Sequence, residues 1–184
     1  MRSPLLLLGS LLLLTPACGV DDIAITQRTP VESILMTATE SHSERRVHIV
    51  ARAKPDTEAK LSLLSIHFNA QPNWLQSESG GSEVLPWFRV RLVDERDGQV
   101  VQERSTVVED VASPETLDLG PAVNTEDEVA LFEGTYRIEF DRQGPPSGGT
   151  VHVLWGAVTE VQTDGDHPER VEVLMTKPSG ASAP

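Results

Sequence analysis

Apolar and polar residues take turns along most of this chain, and that period of two is the strongest constraint on its fold. Val47, Ile49 and Ala51 alternate with Arg46, His48 and Arg52. The same rhythm recurs in Leu64, Ile66 and Phe68, in Phe88, Val90 and Leu92, and in Tyr136, Ile138 and Phe140. It returns in Val151, Val153 and Trp155 and again in Val171, Val173 and Met175. Side chains of a strand point alternately to opposite faces, so each segment reads as a strand with one buried and one wet face. Turn-forming residues gather between them, at 54–58, 76–82, 143–149 and 163–168. Asp97-Gly98 predicts a tight turn leading into 99–109.

Eight or nine such strands without a sustained helical period predict an all-β sandwich of Greek-key type, with a closed barrel as the alternative. Within 184 residues, 39% hydrophobic, one domain can bury a full core without disulfide or metal. The expected domain spans 31–176, followed by a disordered tail at 177–184. Its first segment is ambiguous. Thr29-Pro30-Val31-Glu32 has the form of a helix start, yet Ile34-Leu35-Met36 and its neighbours are strand formers. We read 34–39 as a strand pairing with the next one, across a polar turn at 40–44.

The N-terminus has a different character. Arg2 and the amino group are positive, and residues 5–14 are leucine except for Gly9 and Ser10. A run of about ten is half of what a bilayer span needs, and it fits the apolar core of a secretory signal. Leu14-Thr15-Pro16-Ala17-Cys18 then resembles the lipobox of bacterial lipoproteins, with Thr15 where that family usually has leucine. The resemblance implies cleavage of a signal peptide, 1–17, and lipidation of Cys18, the only cysteine in the chain. It also implies three acyl chains. One chain anchors only marginally, at ~0.8 kcal/mol per buried methylene, whereas several anchor stably. Residues 18–30 would form a lipidated tether. The membrane is then the first partner, through the lipid anchor. In proteins with such a lipobox an aspartate just after the cysteine signals inner-membrane retention; here Asp21 and Asp22 come later, so the resemblance implies the outer membrane of a bacterial cell envelope.

Leu131-Phe132-Glu133-Gly134-Thr135-Tyr136 resembles the tyrosine corner of immunoglobulin-like and fibronectin-type sandwiches. That resemblance implies a Tyr136 hydroxyl bonded back to upstream backbone, in a structural role.

Charge narrows the partners. Fifteen Lys and Arg face 28 Asp and Glu, a net charge of −13. Nucleic acid is excluded, because binding it requires a basic face. The excess is local: residues 94–133 hold 12 acids against Arg96 and Arg104, net −10. Glu126, Asp127 and Glu128 lie in that stretch as a candidate docking site for a basic partner or divalent cations, beside the plainer reading of a solvated surface.

No GxSxG, HExxH, phosphate-loop or SxxK pattern occurs. The expectation is therefore a non-enzymatic protein without cofactor, binding or scaffolding for an envelope protein or glycan. A hydrolase is the third choice. His48 and His67 fall on polar strand phases and would share a metal only if strand order joined them; scattered surface histidines are the preferred reading. Asp164-Gly165-Asp166 and Asp94-Glu95-Arg96-Asp97-Gly98 place acids where calcium could bind, but also where hairpins turn, and the turn is preferred. Trp87 and Trp155 fit core or rim positions. Trp74 reads as a loop residue, either a lid on the core or a platform for a sugar ring; the latter makes a carbohydrate-binding domain the alternative function.

Overall fold

The computed structural model describes residues 25–75, 84–109, 112–120, 124–125, 129–144, 148–163 and 168–177. The described strands are β1 (Ile25–Arg28), β2 (Glu32–Met36), β3 (His42–Ala53), β4 (Leu61–Leu75), β5 (Trp87–Asp94), β6 (Gln99–Val107), β7 (Leu117–Leu119), β8 (Asn124–Thr125), β9 (Leu131–Gln143), β10 (Thr150–Thr163) and β11 (Val171–Thr176). They form two antiparallel sheets. Sheet A has the order β1/β2–β10–β4–β7/β8, with β1 and β2 sharing one edge and β7 and β8 the other. Sheet B has the order β11–β3–β9–β5–β6. Counting each shared edge once, eleven described strands fill nine positions.

The chain is therefore an all-β sandwich. Its winding is that of a jelly roll. An immunoglobulin domain keeps its first two strands side by side in one sheet. Here β2 lies in sheet A and β3 in sheet B, and β4, β5, β9, β10 and β11 each lie in the sheet opposite their predecessor. Such alternation between two sheets is what two Greek keys produce in a jelly roll. β11 adds one strand beyond the eight of that pattern, beside β3.

The alternation in the sequence maps onto the interior. Val47, Ile49 and Ala51 of β3, Leu64, Ile66 and Phe68 of β4, and Phe88, Val90 and Leu92 of β5 are buried. Each Val, Leu, Ile or Phe side chain among them contributes about 1.5–3 kcal/mol by leaving water. Aromatic contacts join the layers: Phe68 meets Tyr136 at 5.6 Å between ring centroids, and Phe140 meets Trp155 at 6.0 Å.

Three expectations need correction. The segment around Ile34 is a strand, but β2 pairs with β10, Met36 opposite Val151, and not with β3. The chain turns at 37–41, where the Glu40 amide donates to Thr37 Oγ1 at 3.0 Å, and crosses to the other sheet before β3. The expected tether ends earlier than residue 30, because β1 pairs with β10 from Ile25 opposite Val161. At the other terminus, Lys177 is tied into the fold. Its Nζ donates to the Pro30 carbonyl at 2.9 Å, pairs with Glu32 at 2.7 Å and lies 4.6 Å from the Trp155 ring centroid.

Tyr136 is fully buried in β9, and its hydroxyl meets Arg96 Nη2 at 3.4 Å. The partner is a side chain from the β5–β6 turn, in place of the upstream backbone that a tyrosine corner implies.

Candidate functional site

Three of the sequence-derived sites fall outside the described residues: Cys18, the Glu126-Asp127-Glu128 cluster and Asp164-Gly165-Asp166. The others have definite places. Trp74 is not on a loop. It lies in β4, paired with Val151 of β10, and is 2% exposed. The Arg142 guanidinium covers the ring at 5.4 Å, and Gly149 sits so close that a Cβ there would collide with it. Of its two readings, the sugar platform loses its exposed face, and the ring caps one end of the core.

His48 and His67 lie in opposite sheets, so strand order separates them. His48 bonds Thr135 Oγ1 at 3.1 Å, and His67 bonds Ser65 Oγ at 2.7 Å. Among the described residues no cluster of three metal-ligating side chains occurs. The Asp94–Gly98 segment is the β5–β6 turn. Gly98 adopts φ 73°, a left-handed conformation that suits glycine, and its amide donates to the Asp94 carbonyl at 2.8 Å. Both Asp94 oxygens accept from Arg96, which holds that carboxyl below its usual 3.8. Burial pushes the Tyr136 hydroxyl beside them up to about 12.

Two surfaces carry the chemistry that remains. The first is the outer face of sheet B. Cross-strand register sets His42 of β3 opposite Asp141 of β9, and Asp141 opposite Arg89 of β5. His42 Nδ1 lies 2.8 Å from Asp141 Oδ1, and Arg89 Nη2 lies 3.0 Å from Asp141 Oδ2. One row along, Glu139 is held by Arg91 at 2.5 Å and Arg137 at 2.9 Å. The Asp141 bond raises the His42 pKa above 6.5, with help from Glu44 and against desolvation. Burial alone would raise Asp141, but the bonds from His42 and Arg89 outweigh it and bring its carboxyl below 3.8. These charges hold one another in an orderly lattice across a sheet face. Sequence reasoning missed the lattice, since it depends on which strands are neighbours.

The second surface is the flank formed by β6, the edge of sheet B, and β7 with β8, the edge of sheet A. It collects Glu103 of β6, Glu109 and Glu115 of the connection, and Asp118 of β7, all exposed. A cleft of about 360 Å³ opens there, lined by Pro72, Thr106, Val107, Glu109, Pro114 and Glu115. Next to Val107, and opposite it in register, stands Trp87, 55% exposed. This exposed tryptophan was legible in the alternation: if Phe88, Val90 and Leu92 point inward, Trp87 points out.

No family model matches the chain, and no curated protein sequence matches it.

Proposed function

We propose that this chain is a lipid-anchored, non-enzymatic binding module of the bacterial cell envelope, which docks a basic protein partner on its acidic flank. The observation that carries the reading is tertiary. Acids separated by up to fifteen positions, Glu103 to Asp118, come together along one side of the sandwich. Sheet order puts that side at the opposite edge from β1, where the N-terminal segment joins the fold. Ile25 stands seven positions after Cys18, about 25 Å when fully extended. An anchored module would thus be held close to its membrane by one edge and present its acidic edge to a partner. Electrostatic complementarity of this kind speeds encounter and selects the partner's charge sign. The carbohydrate alternative depended on Trp74, whose ring is enclosed.

The test is crosslinking in intact source cells, with the wild-type chain beside Cys18→Ser. Expected are incorporation of labelled fatty acid at Cys18, and a stoichiometric protein crosslinked to residues of the flank. Both should be lost, or the second strongly reduced, in Cys18→Ser. Recovery of the lipidated chain alone, or with glycan only, overturns the reading.

A further inference from the structure

Of the four sheet edges, three are short or interrupted. β1 and β2 are broken by Thr29-Pro30-Val31. β7 and β8 are three and two residues long, and Gly120 after β7 runs so close to β4 that a Cβ would sit 2.8 Å from His67 Nδ1. β11 has six residues and ends where Lys177 reaches across to Glu32. These are the usual ways in which a native sheet discourages unwanted pairing. β6 is different. It is nine residues long, QVVQERSTV, without proline or glycine, and among the described residues it pairs with β5 on one side only. Val100, Val101 and Val107 on it are 52%, 37% and 41% exposed.

We infer that β6 binds a basic, extended segment of the partner protein by strand addition. This deepens the docking reading above and rests on it. Main-chain bonds to an open edge supply affinity whatever the added sequence, and alternate side chains set specificity. The chemistry around β6 favours cations by three acids to one base: Glu103 lies on the strand beside Arg104, and Glu109 and Glu115 line the cleft at its end. Trp87 and Val107 offer an apolar contact for a neighbouring position. A second copy of this chain is a poor occupant. A two-fold antiparallel pair sets a residue opposite its own copy, so a pair centred on β6 faces Glu103 with Glu103. It would also bring together two flanks that each carry Glu103, Glu109, Glu115 and Asp118.

The experiment uses the full chain in detergent micelles. The probes are an eight-residue peptide alternating lysine with valine, the same peptide with every second amide N-methylated, and a glutamate–valine counterpart. The lysine peptide is expected to slow amide exchange within 99–107. Glu103→Gln combined with Glu115→Gln should weaken it about three- to tenfold, the scale of two exposed ion pairs. Val101→Lys, which adds a like charge on the edge, should weaken it too, and N-methylation should abolish binding. The inference is overturned by equal binding of the acidic peptide, by undiminished binding of the methylated one, or by protection confined to other strands. Such a failure is separable from failure of the anchored module. If cellular crosslinks map to Glu109, Glu115 or Asp118 of the flank while 99–107 gains no protection, strand addition falls and docking on the acidic flank remains.

Discussion

Trp74 and Gly149 show how one residue pair can define an end of the core. The ring is enclosed between Arg142 and the Gly149 backbone, so neither neighbour can grow. Trp74→Ala should cost about 3–5 kcal/mol, read from the urea midpoint. Gly149→Ala should cost about 1–3 kcal/mol, because its new methyl overlaps the indole. Combined with Trp74→Leu, the Gly149→Ala penalty should shrink, since the smaller side chain leaves room; strict additivity would show that the contact is not what constrains residue 149. His42 supports a second prediction. Its folded pKa is raised, so its contribution is complete below 6.5 and is lost as pH rises through the folded value. That of Asp141 is lowered, so its contribution is present above 3.8 and is lost as pH falls through the folded value. The pair therefore stabilises most between these two limits. His42 is half exposed, which keeps the effect below about 1 kcal/mol. His42→Gln should flatten the decline in stability above pH 6.5 and should do nothing to a decline that arises elsewhere.

At the scale of elements, the junction of β1 and β2 is held by a threonine. The Thr29 amide donates to the Ala157 carbonyl at 3.0 Å, and its Oγ1 accepts from the Ala157 amide at 2.9 Å. Pro30 then has no amide to offer, and the hydroxyl keeps the ladder satisfied across the break. Thr29→Val keeps the shape and removes the acceptor, leaving a buried donor at a cost of about 1–3 kcal/mol. Amide exchange at Ala157 should accelerate in that variant, while Thr29→Ser should behave as wild type. Unchanged exchange in Thr29→Val would mean that the ladder closes without the hydroxyl.

For the whole molecule, charge distribution sets the response to salt. The flank residues repel one another across solvent, whereas the sheet-B pairs are partly buried and close. Raising salt from about 0.01 M to about 0.15 M shortens the Debye length from about 30 Å to about 8 Å. Long-range repulsion is screened first, so the melting temperature should rise over this range. The rise should be smaller in the Glu103→Gln/Glu115→Gln variant. A fall in melting temperature would show that the sheet-B lattice dominates.

Alternation alone was sufficient to specify an all-β chain and most of its inward side chains, because burial on one face of a strand leaves a local, period-two record. The β5–β6 turn was equally legible, since Gly98 meets a local backbone demand. Strand order was not. β2 pairs with a strand that begins more than a hundred residues later, and nothing within β2 names β10. For the same reason the resemblance around Tyr136 pointed to the immunoglobulin order, while the long-range pairing made a jelly roll. The sites divide in the same way. Trp87 could be read as outward from its neighbours, but only the tertiary structure enclosed Trp74, separated His48 from His67, built the His42–Asp141–Arg89 row and gathered distant acids along β6. Local sequence determines which face a side chain takes. Which faces and edges meet is decided by the packing of the whole chain.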